Sequence, residues 1–369
     1  MKIPYVDLKI QWKIEKKTLL PIIEKVLSAG DYVNGKEIDK FEKKIAKICN
    51  RKFAVAFNSG TDALTMGLNL LNVKKGDEVI TPPNSFISST TSIAHVGAKP
   101  VFADVLNDQN INPKEVEKKI TKKTKAIMPV HLTGRICEMN NLIKISKKYK
   151  IPIIEDAAQS IGSKYFDKPS GSFGDIGCFS AHPLKNLNAC GDAGFMVTNN
   201  YDFYVKAKSL RNHGLEDRSL VKKYGFISRM DVLQAAILNF RLKNLNSIIR
   251  RRRFNANYYF KNLNRNFYKL SDEKKYQFNS YHTFVVQVEN REKLIKYLQS
   301  KGIGTAIHYP IPIHLQPASK YLNYKKGSFP MTESQSKKIL TIPIHQNLTL
   351  KNLKKIVFYL NKFSLINEK

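Results

Sequence analysis

Between residues 53 and 200, seven short runs rich in β-branched and apolar residues alternate with stretches of helical periodicity: FAVAF, DEVITP, KPVFADV, KAIMPVHL, IPIIEDAA, IGCFSA and GFMVTN. Strands that alternate with helices build βαβ units, and such units build a largely parallel sheet with helices on its faces. Ligands of these sheets bind beyond the carboxyl ends of the strands, so the residues just past each run carry the functional information. The expected fold class is α/β, a mostly parallel central sheet flanked by helices.

A chain of 369 residues exceeds what one hydrophobic core usually supports. After about residue 205 the pattern becomes one long amphipathic helix, from DVLQAAIL through Arg250–Arg253 to about Leu263. The remainder, with SYHTFVVQV as a strand and REKLIKYLQSKG as a helix, reads as a smaller α+β domain. The expected division is a large domain over 1–245, including the N-terminal segment, and a small C-terminal domain over 246–369. PIPIHLQP is proline-rich, which predicts an extended, ordered loop.

Sixty-two Lys and Arg against 30 Asp and Glu give a net charge of +32, which raises the question of nucleic acid. The lysines are scattered along the whole chain (Lys43, Lys44, Lys74, Lys75, Lys122, Lys123, Lys222, Lys223), as on solvated faces and turns. Only Arg250–Arg253 form a dense block, read as a solvated or domain-bridging helix face. The expectation is therefore no nucleic-acid partner, with the charge serving solubility and attraction for anionic small molecules. No run approaches the roughly 20 apolar residues of a membrane span, and MKIPYVDLKIQWKIEKK lacks the apolar centre of a secretion signal. A soluble, cytoplasmic protein without membrane contact is expected. Cys49, Cys137, Cys178 and Cys190 are too widely spaced to suggest a zinc site or a disulfide framework.

Five of the strand ends carry notable residues. FAVAF runs into Asn58-Ser59-Gly60-Thr61-Asp62, a polar turn opening a helix, which suits either a phosphate or an ordinary N-cap. IPIIE ends on Asp156, whose carboxylate could meet a metal, a ribose hydroxyl or a protonated pyridine nitrogen. No GxGxxG turn precedes it and no further acidic residue is placed to complete a metal site. GCFSAHPLKNLNACGDAGFMVTNN places Ser180, His182 and Lys185 in a loop between two apolar runs. Most lysines of this chain are solvated surface charges, but one flanked by Pro183, Gly191 and Gly194 is partly desolvated. Desolvation lowers its pKa and exposes a neutral, nucleophilic amine. Phe86, in ITPPNSF, is either a ring-stacking group or plain core packing. An amine, a carboxylate, a phosphate cradle and a flat apolar group are what pyridoxal 5'-phosphate (PLP) requires, the carboxylate keeping the pyridine protonated as an electron acceptor.

At these residues the chain resembles the DegT/DnrJ/EryC1/StrS family of nucleotide-sugar aminotransferases, PLP enzymes of fold type I. The resemblance runs over almost the whole chain, through GDYVNGKEIDKFE, NSGTDAL, GDEVITP, VHLTG, EDAAQS, FSAHPLKN, SRMDVLQAAIL, HYPIPIHLQP and LTIPIH. It implies Lys185 as Schiff-base lysine and proton shuttle, Asp156 on the pyridinium nitrogen and Gln159 beside the ring hydroxyl. It further implies Gly60, Thr61 and Ser180 on the phosphate, Phe86 on the ring face, and homodimers whose active sites use both subunits. The implied reaction carries an amino group from glutamate to a keto group of a nucleotide-linked deoxysugar, for polysaccharide or glycan biosynthesis. GDAG after the lysine together with HYPIPIHLQP resembles enzymes of 3-keto more than of 4-keto sugars. Lysine at 185 favours transamination over the dehydratases of the family, which carry histidine there; a non-catalytic PLP-binding regulator is the other alternative. Tyr32, Asn34, Arg229, His308, Tyr309 and His314 are candidate substrate contacts, and Arg229, Arg211 or the excess lysines are candidate partners of the pyrophosphate. The family commonly has GxNxRM where this chain reads Gly225-Phe226-Ile227-Ser228-Arg229-Met230. Ile227 cannot supply the family's cross-subunit hydrogen bond to phosphate, leaving Ser228 or Arg229 to replace it, or the phosphate held within one subunit.

Overall fold

The structure is a computed structural model and describes residues 2–217 and 219–367. The seven apolar runs form β1 (Phe53–Phe57), β2 (Glu78–Thr81), β3 (Lys99–Phe102), β4 (Thr124–Ile127), β5 (Ile154–Asp156), β8 (Ile176–Ser180) and β9 (Gly194–Thr198), with a small hairpin, β6 (Lys164–Tyr165) and β7 (Lys168–Pro169), between them. Hydrogen bonding joins β3-β2-β4 and β5-β8-β9-β1, and parallel bridges at Ile127–Ile153 and Val130–Asp156 link the two groups. Every pairing among these seven strands is parallel except those of β9, which runs antiparallel to both β8 and β1. The exception has a local cause. Residues 181–193, which connect β8 to β9, contain no helix to carry the chain back across the sheet, so the chain reverses instead. That reversal keeps the loop bearing Lys185 at the carboxyl end of β8.

Helices α1 (Leu8–Ala29), α2 (Lys36–Ile48), α3 (Gly60–Leu70), α4 (Ser88–His95), α5 (Pro113–Lys118), α6 (Met139–Tyr149) and α7 (Tyr201–Leu210) surround the sheet. On one face Phe41 of α2 meets Phe195 edge to face at 5.5 Å, and Phe195 stacks on Phe179 at 4.8 Å. On the other, Leu64 and Leu68 of α3 pack among Val55, Ile154, Cys178 and Met196. Each such side chain withdrawn from water contributes about 1.5–3 kcal/mol, which fixes both helices, and hence the amino end of α3, against the sheet.

The long helix expected from DVLQAAIL to Leu263 is two, α8 (Val232–Leu242) and α9 (Leu245–Asn262), broken at Lys243 and Asn244. Asn244 stands at the start of α9, its backbone carbonyl accepting the Ile248 amide at 3.0 Å and the Ser247 hydroxyl at 2.8 Å. The arginine block, read as a solvated or domain-bridging face, is solvated at one residue alone. Only Arg250 is exposed. Arg251 donates to the Leu348 carbonyl, Arg252 to the carbonyls of Tyr281 and His282, and Arg253 to both oxygens of Glu273. The guanidinium of Arg253 also lies 3.9 Å from the Phe278 ring. These bonds fasten α9 to the C-terminal part of the chain. Arg252 is buried, and burial lowers its pKa to about 10. Arg252→Ala strands two buried carbonyls and is expected to cost about 2–4 kcal/mol, read as a lower urea midpoint at unchanged slope.

The C-terminal part holds β10 (Gln277–Phe278), which pairs with β6, and the antiparallel pair β11 (Phe284–Gln287) and β12 (Ile339–Ile342), with α10 (Arg291–Ser300), α11 (Pro330–Lys338) and α12 (Leu350–Asn367). Tyr259, Val286, Leu294, Leu340, Leu353 and Leu360 form its core. Ile3, from the opposite end of the chain, enters the same core and pairs with Ile303. The proline-rich stretch expected to be extended instead makes two short 3₁₀ turns, Ile313–Leu315 and Pro317–Leu322. Proline's fixed φ suits the start of such a turn.

Candidate active site

One cleft of about 1030 Å³, open to solvent, lies at the carboxyl ends of β1, β2, β5 and β8. It is lined by Gly60, Thr61, Phe86, Asp156, Gln159, Ser180, His182, Lys185, His308 and Tyr309 among the residues singled out from sequence, and by Tyr5, Ser88, Asp192 and His282 besides.

Two acids stand side by side at the end of β5, and their surroundings separate them. Glu155 is fully engaged: its carboxylate accepts the amides of Gly171, Phe173 and Gly174 and faces His131 at 2.9 Å. Asp156 turns to the cleft, 4 % exposed, with Oδ2 accepting the Ser89 hydroxyl at 2.7 Å and Oδ1 the Ala158 amide at 3.1 Å. Burial raises its pKa above the ordinary carboxyl range in spite of those bonds and of Lys185 nearby. A carboxylate so desolvated is stabilised by any positive or protonated group brought opposite it.

Lys185 follows β8 in the loop that reverses the chain. Its amide donates to the His182 carbonyl at 2.8 Å, and Asn188, three residues on, exchanges amide hydrogen bonds of 3.1 Å with Gln11 of α1. Burial lowers the Lys185 pKa to about 8, opposed by the negative charge of Asp156. Near neutral pH a useful fraction of the amine is thus unprotonated.

At the third corner, Ser59 caps α3 by accepting the Asp62 amide at 3.1 Å, and its carbonyl accepts the Ala63 amide. The amides of Gly60 and Thr61 precede the first intrahelical bond, and a helix start of this kind attracts anions. Gly60 is required by space: a Cβ there would lie 2.7 Å from the Cβ of Ser180. Thr61 donates its hydroxyl to Ser88 at 2.9 Å, and Ser180 Oγ accepts the His182 amide at 3.3 Å. Phe86 is 53 % exposed into this space, its ring 5.6 Å from that of Tyr309, so the core-packing alternative does not describe it. Gln159 Oε1 accepts the Thr133 amide at 2.8 Å, and its Nε2 lies 3.5 Å from the Tyr309 hydroxyl. His308 Nδ1 is 2.9 Å from the Thr341 hydroxyl; burial and Lys185 lower its pKa to about 4, leaving it neutral.

A buried carboxylate awaiting a protonated group, a glycine-walled helix start beside a serine, an amine of lowered pKa and an exposed aromatic face fit PLP. Among the described residues no cluster of three or more His, Cys, Asp or Glu could hold a metal ion.

The other candidates lie elsewhere. His314 is 3 % exposed, with Nε2 3.0 Å from Glu333 and its ring against Phe329, and it does not line the cleft. The sequence expectation for it is corrected: the turn at Ile313–Leu315 rotates it into the protein. Tyr32 and Asn34 are exposed, the segment pairing through Val33 with Asp231, and Arg229 bonds Asn212 at 2.9 Å. All three stand outside this chain's own cleft. Arg211 is buried against Glu42 and the Ala56 carbonyl, so it is not available to a pyrophosphate. Ser228 is likewise committed, to Asp62 at 2.6 Å and Asn58 at 3.1 Å, whereas Ile227 is 64 % exposed. Sequence reasoning passed over Tyr5, Ser89 and His282. Ser89, a few residues beyond the ITPPNSF strand end, stood nearest to where a strand-end search looks, whereas Tyr5 and His282 follow no strand end.

The DegT/DnrJ/EryC1/StrS aminotransferase family model matches residues 13–361. The dTDP-3-amino-3,6-dideoxy-alpha-D-galactopyranose transaminase of Aneurinibacillus thermoaerophilus is 38% identical over 362 residues, covering 98% of this chain and 99% of that one. A protein of Geobacillus stearothermophilus named a pleiotropic regulatory protein is 35% identical over 352 residues, covering 94% and 95%. Among solved structures, S. venezuelae DesV superposes with a TM-score of 0.96 at 33% identity, covering 98% of each chain.

Proposed function

The chain belongs to the DegT/DnrJ/EryC1/StrS aminotransferase family and is a PLP-dependent enzyme, and from that premise we propose that it transfers the amino group of L-glutamate to the 3-keto group of a nucleotide-linked deoxysugar. The observation that carries the reading is the convergence of Lys185, Asp156 and the Gly60–Thr61–Ser180 cradle on one cleft. The transaminase from A. thermoaerophilus, named for a 3-amino sugar, supports the keto position.

When bound, PLP supplies an electron sink for the carbon that bears the amino group. Asp156 is the residue to hold the proton on the ring nitrogen, and Gly60, Thr61 and Ser180 are those to hold the phosphate through helix-start amides and hydroxyls. Phe86 offers its face to the ring, and Gln159 a side-chain amide to its edge. Lys185 Nζ takes a proton from the donor's α-carbon and returns one to the sugar carbon in the second half of the exchange. A pKa of about 8 suits both directions. Neutral His308 and the Tyr309 hydroxyl line the cleft, which supports reading them as contacts of sugar hydroxyls. The net result exchanges the donor's amino group for the sugar's keto oxygen.

The reading includes a homodimer with shared sites. Tyr32, Asn34 and Arg229 lie outside their own cleft but beside one another, next to the exposed apolar side chains of Val33, Phe226 and Ile227. That is the placement expected of residues that serve a partner's cleft. With Ser228 committed internally, Arg229 is the residue to reach the partner's phosphate. Formation in the cytoplasm of amino sugars for polysaccharide completes the proposal.

Incubation with glutamate and a panel of keto nucleotide sugars, followed by mass spectrometry, tests it. Amino sugar and 2-oxoglutarate are expected in equal amounts. Sugar consumed without glutamate would identify a dehydratase, and bound cofactor without turnover a regulator. Failure with both 3-keto and 4-keto nucleotide sugars by protein carrying PLP rejects the substrate class.

A further inference from the structure

The first turn of α4 touches three corners of the cleft at once. Phe86 precedes it and faces the open space, Ser88 accepts the Thr61 hydroxyl at 2.9 Å, and Ser89 donates to Asp156 at 2.7 Å. Ser89 is 1 % exposed, buried with the carboxylate it serves. Among the described residues its one other acceptor within reach, the Phe86 carbonyl, is farther, at 3.4 Å.

We propose that Ser89 is a positioning residue for the cofactor ring, its hydroxyl holding the Asp156 carboxylate in one orientation and in its ionised form. The inference rests on the reading of Asp156 as partner of the ring nitrogen. Its logic is electrostatic. A buried carboxylate ionises only if donors replace its lost water, and a hydroxyl that can give just one hydrogen favours the charged form. Among the described residues Asp156 has two such donors, Ser89 and the Ala158 amide. The other titratable groups facing it are Lys185 from the β8–β9 loop, His131 beyond β4, Cys178 on the neighbouring strand and Tyr309 from the C-terminal part. None of them donates a hydrogen bond to it among the described residues. Without Ser89 the carboxyl rises further and turns more freely, so the ring nitrogen loses its proton more readily.

Ser89→Ala is expected to weaken PLP affinity by about tenfold to a hundredfold, measured by equilibrium dialysis of the purified apoenzyme. The acid limb of kcat against pH, which requires the ionised carboxylate, moves up by about one unit, while the alkaline side governed by Lys185 stays in place. Ser89→Thr, which keeps the hydroxyl, recovers both. In an Asp156→Asn background Ser89→Ala adds nothing further, because its effect passes through the carboxylate. An unmoved acid limb with unchanged affinity, a threonine variant no better than alanine, or an undiminished loss in the Asp156→Asn background overturns the proposal. Asp156→Asn alone leaving PLP affinity intact would instead refute the site reading beneath it.

Discussion

Lys185→Ala is expected to abolish transamination, lowering kcat by at least about a thousandfold, the scale of a positioned proton-transfer group combined with a lost covalent anchor. The protein should still fold, because the change deletes a long chain projecting into an open cleft. PLP should remain weakly held through Asp156 and the cradle, yet its visible absorption should no longer shift when glutamate is added. Titration of the natural protein sharpens the test. Covalent attachment of PLP needs the neutral amine, and the Lys185 pKa is about 8. Below that pH the rate at which the apoenzyme is reloaded should rise about tenfold per pH unit, and above it level off. A rate still climbing beyond pH 9 would mean that the amine is not desolvated as the loop geometry implies.

Asp156→Asn keeps the shape of the side chain and removes its charge. Loss of one partner from a buried charge pair costs about 2–5 kcal/mol, so PLP affinity should fall between about 30-fold and several thousandfold, and kcat with it. The sign of the pH response is fixed by which form is needed. The ionised carboxylate is active, burial raises its pKa, and activity of the natural enzyme should therefore decline as the solution is acidified through that raised value. The asparagine variant has no group to titrate there and should lose that limb. Glu155→Gln, one residue away, should act differently: it disturbs the bonds to Gly171, Phe173 and Gly174 and should lower stability, measured by thermal unfolding. The contrast between the two neighbours separates a site carboxylate from a structural one.

Much of this arrangement was legible in the sequence because parallel sheets concentrate ligands at strand ends. Gly60, Asp156, Ser180 and Lys185 all stand at the end of an apolar run or a few residues beyond one, and the sheet collects those ends at one cleft. Residues that reach the cleft from afar left no comparable signal. Tyr5 arrives from the N-terminal segment and His282 from the C-terminal part, and only the packing of the two cores brings them together. His314 was misplaced because a proline-spaced pattern does not say which way a 3₁₀ turn points. The arginine block misled for a related reason: periodicity reports one face of a helix as polar, but not that carbonyls and a glutamate wait there for guanidinium groups. The break at Asn244 was missed because apolar residues continue on both sides of it.

The pairing of Ile3 with Ile303 bears on how such a chain is made. A ribosome releases the first of these residues long before the second. The strands from β1 to β9 can associate as they emerge, but Ile3 must wait for its place in a core that does not yet exist. Tyr5, two residues on, waits with it. Contacts of such large sequence separation are the slow ones in folding. Closing the cleft on the Tyr5 side is therefore among the last events of synthesis, and a half-made chain can hold its sheet without a finished place for substrate.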